Sequence, residues 1–192
     1  MKVTMQDVAK YAGVDKATVS RVIRGDSRIS EKTRERVMES VRELNYRPDL
    51  NARHLSTNRS GFIGVVLPLF NLEWVAAFVA GFDRAMSNSK YDILFKSTDG
   101  DQKRADCEFA KLKDRNVEGI IWCDTVNKPA LAVDIPMIAV GFHQEGIISI
   151  LSRNESLKPN FEVGALTGRL IQRLVTDKPV HVRNIYIEEE NQ

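Results

Sequence analysis

The chain has 192 residues, 43% of them hydrophobic and 28% charged, with 28 Lys and Arg against 26 Asp and Glu. That balance excludes wholesale disorder, and no uninterrupted apolar run approaches the roughly 20 residues a membrane helix requires. The N-terminus lacks an apolar core of signal-peptide length, and two cysteines, Cys107 and Cys123, cannot build a disulfide framework, so a cytoplasmic protein is expected. Charge is unevenly spread. Residues 1–60 carry 13 basic and 8 acidic side chains, whereas residues 61–192 carry 15 and 18. A basic head on an acidic body is the pattern of a polyanion-binding module joined to a separately folded unit.

Taken in chain order, Thr4 can cap a first helix over Met5–Tyr11, with Asp7 near the positive end of its dipole. Met5, Val8, Ala9 and Ala12 fall at helical spacing and face a small core. Gly13 supplies the left-handed residue of a tight turn. Asp15 can cap a second helix, residues 16–24, in which Val19, Val22 and Ile23 point inward while Lys16, Ala17, Ser20, Arg21 and Arg24 point outward. Ser30 caps a third helix running from Glu31 to about Leu44, with Val37, Val41 and Leu44 inward. Two short helices joined by a glycine turn, the second bearing polar and basic side chains, form a helix-turn-helix, whose second helix enters the DNA major groove.

The blocks Thr4-Met5-Gln6-Asp7-Val8-Ala9, Ala12-Gly13-Val14, Ala17-Thr18-Val19-Ser20-Arg21-Val22 and Ser30-Glu31-Lys32-Thr33-Arg34 closely resemble the headpiece of the LacI/GalR family of bacterial repressors. Lys16, Ala17 and Arg21 then occupy positions from which side chains reach base edges. Arg21 can donate a bidentate pair to guanine and Ala17 can meet a thymine methyl. Thr4, Thr18, Ser20, Ser30 and Thr33 offer hydroxyls to phosphates, although Thr4 and Ser30 serve equally well as caps. Arg28, in the following loop, can reach a base or a phosphate. Arg34, Arg36 and Arg42 read as solvated surface. Asp15 departs from the serine usual in the family; it caps equally well but repels a nearby phosphate.

After the head comes a stretch, residues 47–60, in which Pro48 and Asp49 suit the start of a helix of at most about two turns, too short to be stable alone. The resemblance implies that this is a hinge helix. It would pair with its dimer mate in the minor groove, where Leu55 wedges between base pairs and kinks the duplex. Asn51, Ala52 and Ser56 are its other DNA-facing candidates. Asp49 stands where the family usually has Asn.

Beyond residue 61, short apolar β-branched runs alternate with amphipathic helices: strands at 62–68, 91–96, 117–123, 136–140 and 147–150, helices at 73–89, 102–115 and 161–175, and a last strand at 182–187. Such alternation implies a doubly wound parallel α/β sheet. It resembles one lobe of the periplasmic-binding-protein fold that follows the hinge in this family. The resemblance implies that the chain leaves this lobe near Gly141 to build a second lobe of similar size, for which the 51 residues after Gly141 are too few. Two alignments of the tail remain. In one, the 161–175 helix and the last strand are the family's return segment; in the other, that helix is the first to enter a second lobe. Family effectors bind between two lobes. Asn71, Trp74 and Asp124 are the first-lobe candidates for such a site, with Trp74 better suited to the core or to a dimer interface.

No phosphate-binding glycine loop or nucleophile elbow is present, and Cys107, Cys123, His54, His143 and His181 lack metal-ligand spacing. The expectation is therefore a non-enzymatic, cofactor-free protein: a helix-turn-helix headpiece (1–46), a hinge (47–60) and a single-lobe α/β body (61–192). It would bind a palindromic operator as a homodimer, away from membranes, with weak or absent effector response. Two alternatives stand beside it: a ligand-gated repressor with a rebuilt pocket, and a short subunit that pairs with a full-length relative.

Overall fold

The computed structural model describes residues 3–47, 59–70, 72–128, 135–153, 157–176, 178 and 180–188. The chain divides into two compact units, Met1–Thr57 and Asn58–Gln192.

In the first unit each of three helices begins at a side-chain cap. Thr4 opens α1 (Met5–Ala12) with a reciprocal capping box: the Asp7 amide donates to the Thr4 hydroxyl oxygen at 3.4 Å and Asp7 accepts from the Thr4 amide at 2.9 Å. Gly13 follows in the left-handed conformation (φ 62°), and the Val14 amide donates back to the Ala9 carbonyl at 3.0 Å, which closes the tight turn. Asp15 caps α2 (Lys16–Ile23) by accepting from the Thr18 amide at 2.7 Å, and Ser30 caps α3 (Glu31–Glu43). Val8, Ala9, Ala12, Val19, Val22 and Val37 form the core, as the helical periodicity predicts. Tyr46 joins them. It is only 8% exposed, because the left-handed Asn45 (φ 48°) folds it back and its amide donates to the Val41 carbonyl.

Arg34 corrects the sequence reading. It is not a solvated surface residue: one of its terminal nitrogens donates at 2.8 Å to the carbonyl of Asp26 from a partly buried position, tying α3 to the loop after α2.

The second unit is a six-stranded all-parallel sheet in the order β2-β1-β3-β4-β5-β6. Its strands are β1 (Phe62–Leu67), β2 (Asp92–Ser97), β3 (Gly119–Trp122), β4 (Met137–Val140), β5 (Ile148–Ser152) and β6 (Asn184–Ile187). Three helices cover it: α4 (Glu73–Met86), α5 (Gln102–Asp114) and α6 (Phe161–Val175). The pleat sorts side chains to two layers. Ile63, Val65, Leu67, Ile121, Ile138 and Val140 pack with Phe78, Phe82, Val163 and Ile171 of α4 and α6, whereas Val66, Ile120, Trp122 and Ala139 pack with Ala105, Phe109 and Leu112 of α5. The 161–175 helix thus belongs to this layer, and the last strand completes the same sheet.

Glycine lets α4 and α6 touch backbone to backbone. A methyl group at Gly81 would run into the carbonyl oxygen of Phe161, and one at Gly164 into that of Phe78. At Gly64, by contrast, it would meet only the side chain of Leu112, at 2.8 Å. Gly81→Ala should therefore destabilise the body by about 2 kcal/mol or more, since strain of roughly 1–3 kcal/mol or above opposes a propensity gain of at most about 1. Gly64→Ala should cost less. Both tryptophans lie in the second unit, so urea unfolding followed by tryptophan fluorescence measures the difference.

Candidate nucleic-acid interface

Capping decides which atoms of the head are available to a partner. Lys16, Ala17 and Arg21 are exposed along one side of α2, opposite the buried Val19 and Val22. Among the described residues the side chains of Lys16 and Arg21 make no hydrogen bond or ion pair. The hydroxyls differ from one another. Thr4 donates its proton to Asp7 at 2.7 Å, and Thr18 donates its own to Asp15 at 2.9 Å. These two hydroxyls keep only lone pairs and cannot also donate to a phosphate in this arrangement. Ser30 and Thr33 share one hydrogen bond at 2.9 Å, which leaves one proton of the pair for an outside acceptor. The Ser20 hydroxyl is half-buried, with no hydrogen-bond partner among the described residues.

Arg28 is held by its neighbour. Its Nε and one terminal nitrogen donate to the two carboxylate oxygens of Asp26 at 3.0 and 2.7 Å, and that pair holds the Asp26 carboxyl far below the usual range. With 82% of its side chain exposed, the pair is only weakly stabilising, so the guanidinium can exchange Asp26 for another oxyanion. Hydrogen bonds from the Thr18 amide and hydroxyl hold Asp15 ionised, placing a negative charge at the start of α2. The hinge candidates Asn51, Ala52, Leu55 and Ser56 lie outside the described residues, as does Asn71.

In the body, Asp124 sits just past β3, where the order of the parallel strands reverses between β1 and β3; open α/β sheets bind ligands at such switch points. Its carboxylate is already engaged. One oxygen accepts from the amides of Val126 (2.9 Å) and Asn127 (3.0 Å), the other from the Thr98 hydroxyl and the Asn127 side-chain amide (3.0 Å). Burial pushes this carboxyl up, and those donors more than offset it, led by the Thr98 hydroxyl, so it stays below the usual carboxylate value. Trp74 is half-buried with its ring edge-on to Phe78, at a centroid distance of 6.1 Å. Sequence reasoning missed a further anchor: Glu118, on the loop before β3, accepts from the Gly61 amide at 2.9 Å and the Tyr91 hydroxyl at 3.4 Å and pairs with Arg59 at 3.8 Å. It fastens the start of the body to the sheet, and a separation of 57 residues left no local signal for it.

Among the described residues, no helix is long and apolar enough to cross a membrane.

A capped helix-turn-helix followed by a parallel α/β lobe defines a class of regulatory protein, and comparison with known proteins gives the family. Residues 4–49 match the family model for "Bacterial regulatory proteins, lacI family". Catabolite control protein A of Staphylococcus xylosus is 32% identical over 161 residues, which cover 78% of this chain and 48% of that one. The HTH-type transcriptional regulator DegA of Bacillus subtilis (strain 168) is 33% identical over 159 residues, covering 83% of this chain and 46% of that one. In fold, the crystal structure of the lac repressor dimer bound to operator and the anti-inducer ONPF matches 98% of this chain and 66% of its own, with TM-score 0.68 and 22% identity. The chain belongs to the LacI family of bacterial regulatory proteins. It spans about half the length of the curated relatives it matches.

Because the folded Asp124 carboxyl is more acidic than an unfolded one, the stability it confers is fully present above the ordinary Asp value of about 3.9 and is lost as pH falls through the folded value. Asp124→Asn should cost about 1–3 kcal/mol at neutral pH. The gap from the parent should shrink below about pH 4, which urea denaturation across a pH series will measure.

Proposed function

We propose that this protein is a sequence-specific DNA-binding transcriptional repressor of the cytoplasm. It binds a palindromic operator as a homodimer, with α2 in the major groove and residues 47–60 as hinge helices in the minor groove. Residues 1–46 form the DNA-binding head, and residues 61–192 the lobe through which two copies pair. The observation that carries this reading is the exposed, unengaged row Lys16, Ala17 and Arg21 on the second helix of a capped helix-turn-helix. The matched lac repressor structure, a dimer bound to operator, supports the same partner and assembly.

In this reading Arg21 reads a base, and Ser20, with the shared hydroxyl pair of Ser30 and Thr33, contacts phosphate. Arg28 trades Asp26 for the DNA backbone. Thr4 and Thr18 act chiefly by fixing where α1 and α2 begin, and Leu55, flanked by Asn51, Ala52 and Ser56, is the minor-groove wedge. Effector response is weak or absent, because the Asp124 carboxylate is engaged by the Thr98 hydroxyl and by its own loop, and Trp74 packs edge-on to Phe78. Asn71 would complete that set.

Selection of bound duplexes from random DNA, repeated across salt concentrations, is the direct test. A palindromic consensus and a steep fall of affinity with salt are expected, because each neutralised phosphate releases counterions. Equal retention of scrambled duplexes would overturn the reading. On the selected site Arg21→Ala should weaken binding by about 5- to 150-fold, the equivalent of about 1–3 kcal/mol, and relax preference at one base pair. Leu55→Ala should sharply weaken binding while leaving the melting temperature unchanged, as gel-shift titration and thermal denaturation will report. Asp15→Ser should tighten binding modestly by removing a charge that repels phosphate.

A further inference from the structure

The loop after α2 holds a carboxylate where a polyanion-facing segment gains least from one. From Lys16 to Ser30 the chain carries the basic side chains Lys16, Arg21, Arg24 and Arg28 and a single acidic one, Asp26. Every polar group of Asp26 is held. Its amide donates to the Arg21 carbonyl at 3.0 Å, and its carbonyl accepts from the Ile29 amide at 3.3 Å and from Arg34 at 2.8 Å. One carboxylate oxygen accepts from the Arg28 amide and from Arg28 Nε, both at 3.0 Å. The other accepts from a terminal nitrogen of Arg28 at 2.7 Å. The two partners are unequal: 17% of the Asp26 side chain is exposed, against 82% of Arg28. The acceptor is built into the loop and the donor lies on its surface, so a competing oxyanion draws off Arg28 and leaves Asp26 in place. Two parallel N–H···O bonds from one guanidinium are also the geometry of an arginine on a phosphate. The Arg28 guanidinium and amide, with Arg21 at longer range, hold the Asp26 carboxyl far below the usual range, so it is ionised at neutral pH.

We propose that Asp26 is an internal counter-ion that occupies Arg28 in place of a DNA phosphate and withholds that cation from sequence-independent binding. The inference rests on the DNA-binding reading above and assigns Asp26 a regulatory contact within it. A cation that meets DNA unpaired displaces a condensed counterion, and this release is the source of sequence-independent affinity. Arg28 does not meet DNA unpaired. When it passes from Asp26 to a phosphate, the phosphate gives up a cation and the vacated carboxylate takes one up, so the exchange releases none on balance. Arg28 thus helps fix the head on a phosphate while adding little to its hold on random sequence.

The test is the affinity of the whole chain for a labelled duplex of scrambled sequence, measured by fluorescence anisotropy at a series of chloride concentrations. Asp26→Asn keeps an oxygen for the Arg28 amide and removes the charge. Its plot of log affinity against log salt should be steeper than the parent's by about 0.9, a gain of about 3.5-fold more affinity for a fourfold dilution of salt. The double variant Asp26→Asn, Arg28→Gln should return to the parental slope. Glu35→Gln, which removes an exposed carboxylate from α3, should leave the slope unchanged. Where Asp26→Asn lowers the thermal midpoint, Asp26→Ser takes its place, since a serine hydroxyl also accepts from an amide two residues on. A parental slope in the folded Asp26 variant, or equal steepening in Glu35→Gln or in the double variant, would overturn the counter-ion role while leaving DNA binding intact. A parent chain that holds no duplex even at the lowest salt would instead overturn the DNA-binding reading, and this role with it.

Discussion

Everything proposed for the head depends on where its helices start. Its core consists mainly of Val8, Val19, Val22 and Val37 with two alanines and Tyr46, too little apolar surface to impose helix positions by packing alone. The caps do that work. Thr4, Asp15 and Ser30 each satisfy an amide that would otherwise lie unpaired at a helix start, and the Asp15 cap sets the phase of α2. A shift of one residue in that start would rotate Arg21 by about 100° about the helix axis. In the proposed reading, base recognition and capping are thus linked: the residue that aims α2 also places a negative charge beside the surface a polyanion would approach.

The helices and strands were legible because their signals are local. Capping residues before apolar periodic runs located α1, α2 and α3, and β-branched runs located β1, β3 and β4, within one or two residues at most ends. The helix expected over 73–89 stops at Met86 instead, where the Ser87 hydroxyl donates to the Arg84 carbonyl. What periodicity does not encode is the partner of a polar side chain. Arg34 reads as surface by its spacing, yet it spans eight residues to the Asp26 carbonyl. The family resemblance makes Asp124 a candidate for lining a cleft, and its hydrogen bonds come from Thr98, 26 residues earlier, and from its own following loop.

The body separates its roles by face and by edge. One layer holds α4 and α6 against the sheet and the other holds α5, so the chain crosses from one face to the other after β2 and leaves Asp124 beside the strand-order reversal. The Asp124 network closes the carboxyl edge of the central strands. At the opposite edge, Glu118 fastens Arg59 and Gly61 to the loop before β3. The segment leading from the head therefore meets the sheet through a carboxylate lodged next to its central strands.

The seam between α4 and α6 sets how this lobe can respond to anything that binds it. With Gly81 against the Phe161 carbonyl and Gly164 against that of Phe78, neither helix can roll without driving backbone into backbone. The pair is built to move as a single rigid plate, so any rearrangement would be absorbed by the loops at its rim or by the thinner layer across the sheet, where α5 is the one helix among the described residues.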